Sequence, residues 1–154
     1  MLSQWPAPQW TALHFRQLDA RTLHDILRLR IDVFVVEQHC PYPELDGADL
    51  GALHLLGRND GAVMAYARLL PPGTDGLPHV GRVVVAREAR GKGVGSQLMQ
   101  EVLAALRHQY GSARSALAAQ AHLVAFYQHI GYAPVGNPYP LDGIPHVDMV
   151  RHAD

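Results

Sequence analysis

The sequence predicts a mixed α/β (α+β) fold, one domain over residues 1–154 with a central, mostly antiparallel sheet flanked by helices. Three observations predict it. A chain of 154 residues supports a single hydrophobic core. Segments with a two-residue apolar period alternate with segments at helical spacing, in the order β-α-β-β-β-α-β-α-β-β, a pattern that one sheet covered by helices buries. Asp60-Gly61 stands between two apolar, β-rich runs, which is hairpin chemistry, so antiparallel pairs are required and a purely parallel doubly wound sheet is disfavoured.

Residues 11–18 set Leu13, Phe15 and Leu18 against His14, Arg16 and Gln17, predicting a first strand. Thr22, three residues before Asp25, forms a capping-box-like start. Leu23, Ile26, Leu27, Ile31 and Phe34 then follow at helical spacing, until Cys40-Pro41-Tyr42-Pro43, where two prolines cannot continue a helix. Residues 44–49 read as a polar loop. Residues 53–56 and 63–70 form the hairpin around Arg58-Asn59-Asp60-Gly61, and residues 71–76 are a Pro/Gly loop. Residues 79–86 predict a buried strand centred on Val83, Val84 and Val85. A second helix over 92–110 buries Leu98, Met99, Val102, Leu103 and Leu106 and stops at Gly111. A strand at 115–119, a short helix at 122–130, and strands at 132–135 and 146–150 complete the chain, the last two separated by a Pro- and Gly-rich connection.

Composition narrows the function. The chain is 48% hydrophobic and 18% charged, with 14 Gly and 11 Pro, as in a globular protein rich in turns. Its 13 Lys+Arg balance 14 Asp+Glu, so no general field draws it to nucleic acid or to an anionic membrane. Met1-Leu2-Ser3-Gln4-Trp5-Pro6 has neither the basic segment nor the apolar stretch of a secretory signal. The longest apolar run, residues 62–67, falls far short of the ~18 residues of a spanning helix, so a cytoplasmic location is the expectation. Cys40 is the only cysteine, which excludes an internal disulfide, and no His/Asn constellation surrounds it; it reads as a buried small residue. The ten histidines include no His-Glu-x-x-His, so no metal is expected.

The chemistry concentrates in Arg90-Gly91-Lys92-Gly93-Val94-Gly95-Ser96, an elbow from a buried strand into a helix. The first amides of a helix lack internal partners and carry the positive end of its dipole. Missing side chains at Gly91, Gly93 and Gly95 let phosphate oxygens approach those amides, and Arg90 and Lys92 add charge beside them. A Walker loop is excluded: Gly93 follows Gly91-Lys92 where Ser or Thr is required, and no glycine stands five residues before Gly91. A dinucleotide fingerprint fails at Ser96, and residues 115–119 offer no acidic residue for a ribose. The bland alternative is a glycine-rich helix start used only for tight packing.

The longer pattern Val85-x-x-x-x-Arg90-Gly91-x-Gly93-Val94-Gly95 resembles the acetyl-CoA signature of the GNAT superfamily of N-acetyltransferases. Phe126-Tyr127-x-x-x-Gly131-Tyr132 resembles its second signature. Val33-Phe34-Val35-Val36-Glu37-Gln38-x-Cys40-Pro41-Tyr42-x-Glu44-x-Asp46-Gly47 looks like the ElaA-type branch. The resemblance implies a sheet splayed at the cofactor site. It implies that the backbone at Val83, Val84 and Val85 bonds the pantetheine arm of acetyl-CoA. The amides of Gly91, Lys92, Gly93, Val94, Gly95 and Ser96 would hold its pyrophosphate beside Arg90, and Tyr127 would stand near the sulfur. The chain departs from the family at Arg87, where Pro is frequent, and at Gln120, where Asn is frequent; Gln120 can still donate and accept. A homodimer is expected by analogy alone.

The implied function is transfer of an acetyl group to a primary amine of a small molecule or peptide, by direct attack in a ternary complex. Alternatives are a CoA- or nucleotide-binding module without turnover, and an interaction protein whose glycine turn is architectural. Direct attack needs a neutral amine, a polarised thioester carbonyl and a protonated leaving sulfur, without a covalent enzyme intermediate. A strand amide near Val83–Val85 could polarise the carbonyl. A phenol with a pKa of about 10 can protonate a thiolate, which suits Tyr127, although Tyr127 shares an apolar helix face with Leu123, Phe126 and Ile130 and could instead be core. Candidates for the general base are Glu37, Glu44, Asp46, His54 and His79, with a water relay as a further alternative. Glu44, Asp46 and Asp49 read either as a solvated loop or as a recognition site for a cationic amine. Arg82, inside a buried strand, calls for a carboxylate from the protein or the substrate.

Overall fold

The computed structural model describes residues 7–154; the segment 1–6, read above for a secretory pattern, lies outside them. Seven strands form one sheet: β1 (Gln9–His14), β2 (Leu53–Asn59), β3 (Ala62–Leu70), β4 (His79–Val85), β5 (Ser115–Gln120), β6 (Ala133–Leu141) and β7 (Ile144–Arg151). Their order across the sheet is β1-β2-β3-β4-β5-β7-β6. Every pair is antiparallel except β4–β5. Three α-helices, α1 (Ala20–Arg30), α2 (Val94–Tyr110) and α3 (Val124–Gln128), accompany it.

The β2–β3 hairpin turns at Asp60 (φ 49°) and Gly61 (φ 79°), the left-handed pair that a two-residue loop demands. Both strands run through the core, with Leu55, Leu56, Ala65, Tyr66, Ala67 and Leu69 buried. Across them lies α2, which buries the expected Leu98, Met99, Val102, Leu103 and Leu106 and ends at Gly111.

Local competition moved several boundaries. The first strand stops at His14, and residues 15–17 coil into a short turn. The first helix is capped by Asp19, whose carboxylate accepts from the Thr22 amide at 2.7 Å; the Thr22–Asp25 start is therefore displaced by a better cap just upstream. That helix widens after Arg30 into i→i+5 bonding over Ile31–Glu37, and the Gln38 amide reaches the Val33 carbonyl at 3.1 Å. The largest correction is at the C-terminus. The Pro- and Gly-rich connection is strand: β6 runs on to Leu141 and returns through Asp142 (φ 51°) and Gly143 (φ 77°) into β7. Prolines at 134, 138 and 140 are tolerated because β6 is an edge strand, with a register irregularity between Val135 and Tyr139.

Two irregularities shape the centre. β4 pairs with β5 only at His79↔Ala116 and Val80↔Leu117, after which the strands part. Against β3, Tyr66 faces Val84 and Arg68 faces Gly81, so Arg82 and Val83 share the place opposite Ala67. Such a bulge re-aims a side chain, and Arg82 sits there at a φ of 50°.

A buried set of ion pairs holds the bulge. The Arg30 guanidinium, fully enclosed, donates to Glu44 Oε2 at 2.5 Å and to Asp49 Oδ1 at 2.8 Å. Arg68 grips Asp46 through both carboxylate oxygens at 2.9 Å and reaches Asp49 at 3.1 Å. Arg82 Nε donates to Glu44 Oε2 at 2.9 Å, which supplies the carboxylate that its position called for. Within residues 44–49 the Glu44 and Asp49 carboxylates are thus buried against arginines, while Leu45, Asp46 and Gly47 stay exposed.

Two outcomes follow. Arg30→Met removes one partner of a buried pair set and should cost about 3–5 kcal/mol, read as a lower unfolding midpoint in denaturant. Hydrogen bonds from Arg68 hold the Asp46 carboxyl down at about 2. Its folded pKa lies below the unfolded value of about 3.9, so its stabilisation is complete above pH ~4 and is lost as pH falls towards 2. Asp46→Asn should flatten that part of the acid-unfolding curve.

Candidate active site

Where β4 and β5 part, a cleft of about 710 Å³ opens. Val83, Val84 and Val85 line one side of it, Leu117, Ala118 and Gln120 the other. Backbone groups that leave a ladder mid-sheet need other partners, so the cleft presents donors and acceptors to an extended guest.

At the end of β4 the chain turns through residues 87–89 into the glycine elbow. Gly91 (φ 75°) and Gly93 (φ 78°) occupy the left-handed region that other L-residues rarely adopt. A Cβ built at either would meet nothing within 4 Å. The turn is therefore open, which removes the tight-packing reading at those two positions. Gly95 does pack, since its Cβ would lie 3.8 Å from the Phe126 ring and 3.9 Å from Val85. Gly93 is the N-cap of α2 and no side chain caps it, so the first amides of a 17-residue helix face the elbow uncapped. Gly91, Gly93, Val94 and Gly95 line the cleft, whereas Lys92 and Ser96 are not on its wall. The Lys92 ammonium instead donates to the Glu88 carbonyl at 3.0 Å. Arg90 is on the wall, tied to the Val85 carbonyl at 3.1 Å and to Glu37 at 2.9 Å. Room, dipole and a positioned guanidinium together suit a diphosphate.

Tyr127 lines the cleft with its ring edge-on to Phe126 and Tyr132, at 5.1 and 6.1 Å between centroids. Burial pushes its phenol above the ordinary value, and among the described residues its hydroxyl has no hydrogen-bond partner. It is thus both core and cleft wall. Gln120 also lines the cleft and donates to Gln38 Oε1 at 3.3 Å, linking β5 to the widened end of α1.

Several candidate bases stand elsewhere. His54 is fully buried between the Tyr66 hydroxyl (2.6 Å) and the Asp49 carbonyl (2.9 Å), with burial lowering its basicity, and it braces the ion-pair loop. His79 lies at the paired end of β4, bound to Asp75 at 2.8 Å and off the cleft wall. Glu44 and Asp46 are off the wall too. Glu44 already accepts from Arg30, Arg82 and Tyr42, and Asp46 from Arg68 and Arg82, so neither is left for a cationic amine. Glu37 does line the cleft, with its carboxylate committed to Arg90 and Arg87 beside the elbow. Arg82 reaches the wall, its guanidinium 5.7 Å above the Tyr42 ring.

The structure adds residues that motif reading passed over. The tip of the β6–β7 hairpin meets the end of the widened helix, where the Cys40 thiol donates to the Asp142 carbonyl at 3.2 Å. Leu141, Asp142 and Ile144 close that end of the cleft, with His146 just behind them on β7. The Asp142-Gly143 pair was the available signal for this hairpin, masked by the prolines around it.

Comparison with known proteins places this architecture. The family described as Acetyltransferase (GNAT) domain matches residues 28–153. Protein ElaA of Escherichia coli (strain K12) is 44% identical over 146 residues, which cover 93% of this chain and 95% of ElaA. The crystal structure of an acyl-CoA N-acyltransferase from Pseudomonas aeruginosa superposes with a TM-score of 0.89 at 44% identity, covering 94% of this chain and 99% of that one. The crystal structure of Escherichia coli ElaA gives a TM-score of 0.87 at 42% identity, covering 94% and 99%. Because the family match runs from the last turn of α1 through β7, and so takes in every wall of the cleft, the chain belongs to the GNAT acetyltransferase family and is a transferase.

Proposed function

We propose that this transferase is a single-domain N-acetyltransferase that uses acetyl-CoA and moves the acetyl group directly to a primary amine of a small molecule or peptide. The observation that carries the reading is the open glycine elbow at the end of a strand that has left its neighbour. Acetyl-CoA would bring the activated thioester. The amides at Gly93, Val94 and Gly95, with Arg90, would bind its diphosphate, and the backbone of Val83 and Val85 would pair with the extended arm. The GNAT family match and the Pseudomonas aeruginosa acyl-CoA N-acyltransferase support a CoA-linked donor.

The residues divide the work by what they can hold. Backbone amides of β4 beyond its pairing with β5 would orient and polarise a carbonyl laid along the strand. The apolar wall at Val83, Leu117, Leu123 and Phe126 excludes water from the reacting end. A phenol held above its ordinary pKa stays protonated through neutral and mildly basic pH, so Tyr127 meets the departing sulfur as a hydrogen-bond donor.

Gly93→Glu puts bulk and negative charge at the elbow and should abolish CoA binding by calorimetry, with the circular dichroism spectrum retained. Tyr127→Phe should bind CoA as well as the parent while kcat for thiol release drops about 10²-fold. Full activity in Tyr127→Phe would remove the donor role, and a wild-type chain that binds no CoA would remove the function itself.

A further inference from the structure

Direct acyl transfer needs a group that takes a proton from the amine. Of the predicted bases, only Glu37 lies on the cleft wall, and arginines occupy it. His146 was not among them. It sits on β7 directly across from Gln120 of β5 and Tyr139 of β6. Residues opposite one another on adjacent strands share a face, so the imidazole lies in line with Gln120, on the wall of the cleft. Its ring stacks on Tyr139, with an interplanar angle of 29° and centroids 6.4 Å apart.

The hydrogen bond of the ring decides its chemistry. His146 Nδ1 lies 2.7 Å from the backbone carbonyl of Ile144. A carbonyl can only accept, so Nδ1 carries the proton of the neutral ring, and the lone pair is on Nε2. The Tyr139 ring against its face and the short carbonyl contact in its plane orient the imidazole. His122, the other histidine on the cleft wall, is exposed and has no such bond among the described residues.

From this geometry, and resting on the N-acetyltransferase reading, we infer that His146 is the general base, accepting the acceptor amine's proton at Nε2. The C–N bond forms as the C–S bond breaks. One proton leaves the amine nitrogen for Nε2, and one is gained by the departing sulfur in the hydrogen bond from Tyr127. Transfer of the Nε2 proton to solvent, and reprotonation of Tyr127 from solvent, restore both groups, so the exchange balances as amine plus thioester giving amide plus thiol. Asp148 lies two residues on along β7, on the same face, and accepts from the Tyr139 hydroxyl at 2.5 Å. That bond pushes the Tyr139 phenol up to about 12, so the stacked ring stays neutral. Asp142 stands at the hairpin tip, and the two arginines on the cleft wall, Arg82 and Arg90, are paired with carboxylates.

The test compares wild type, His146→Gln and, as a control on the exposed face of α2, His108→Gln. CoA affinity is measured by calorimetry, and kcat and KM by thiol release from acetyl-CoA, across pH, with a panel of diamines, amino-acid amides and short peptides. His146→Gln should keep CoA affinity and lose about 10²-fold in kcat/KM at neutral pH. That loss should shrink as pH rises and hydroxide takes the attacking nitrogen's proton in place of the imidazole. In 15N-histidine-labelled protein, the neutral His146 ring should carry its proton on Nδ1, a readout that needs no acceptor. A wild type that binds no CoA sinks the function reading and this inference with it. CoA-dependent turnover that is unchanged in His146→Gln, or a neutral ring protonated on Nε2, overturns the assignment of the base alone.

Discussion

Two strands that start as hydrogen-bonded neighbours and separate after two residue pairs govern the rest of the molecule. In the middle of a sheet a strand has neighbours on both sides, and each lost ladder bond leaves a donor or acceptor that must be satisfied elsewhere. Here the Val85 carbonyl at the end of β4 takes a side-chain donor, Arg90 Nε, at 3.1 Å. β4 keeps β3 on one side and turns its other edge to a cleft, while β5 keeps β7. The sheet is continuous in topology and divided in practice, with a cleft of about 710 Å³ between the parted strands.

Holding that gap open requires stiffness on both sides, and buried charge supplies it for β4. Arg30, Arg68 and Arg82 come from three elements and converge on Glu44, Asp46 and Asp49 in one loop. Such pairs contribute little net stability against an apolar core of the same volume, but they define position closely, because any slip leaves an ion unpaired. The set anchors the bulge at Arg82, the loop that follows the widened helix, and the Tyr42 ring on the cleft wall. The same widening of α1 brings Gln38 within reach of Gln120. Structure and site are thus one arrangement of charges and register.

Features whose cause is local were legible in the sequence. The β2–β3 turn is two residues of known backbone preference, the buried face of α2 is a periodicity, and the glycine elbow is a run of missing side chains beside a helix start. Features whose cause is distant were not. Nothing near Glu44 announces that Arg30, 14 positions earlier, and Arg82, 38 positions later, will bury it. A loop with three acidic residues looks solvated until its partners are seen. β6 failed for a different reason: its prolines argue against a strand, and only its place at the margin of the sheet makes them acceptable. His146 lay inside an expected strand, but its tautomer depends on a carbonyl two residues back and its setting on strands from elsewhere in the chain.

The prolines of that margin have a consequence for how copies of the protein can meet. An outermost strand normally offers a row of donors and acceptors on which another chain can polymerise. Pro134, Pro138 and Pro140 strip amide hydrogens from a nine-residue stretch, and the left-handed Gly136 buckles it between them. This rim, one of the two margins of the sheet, is a poor template for sheet extension, so copies of the chain are kept from adding strand to strand along it.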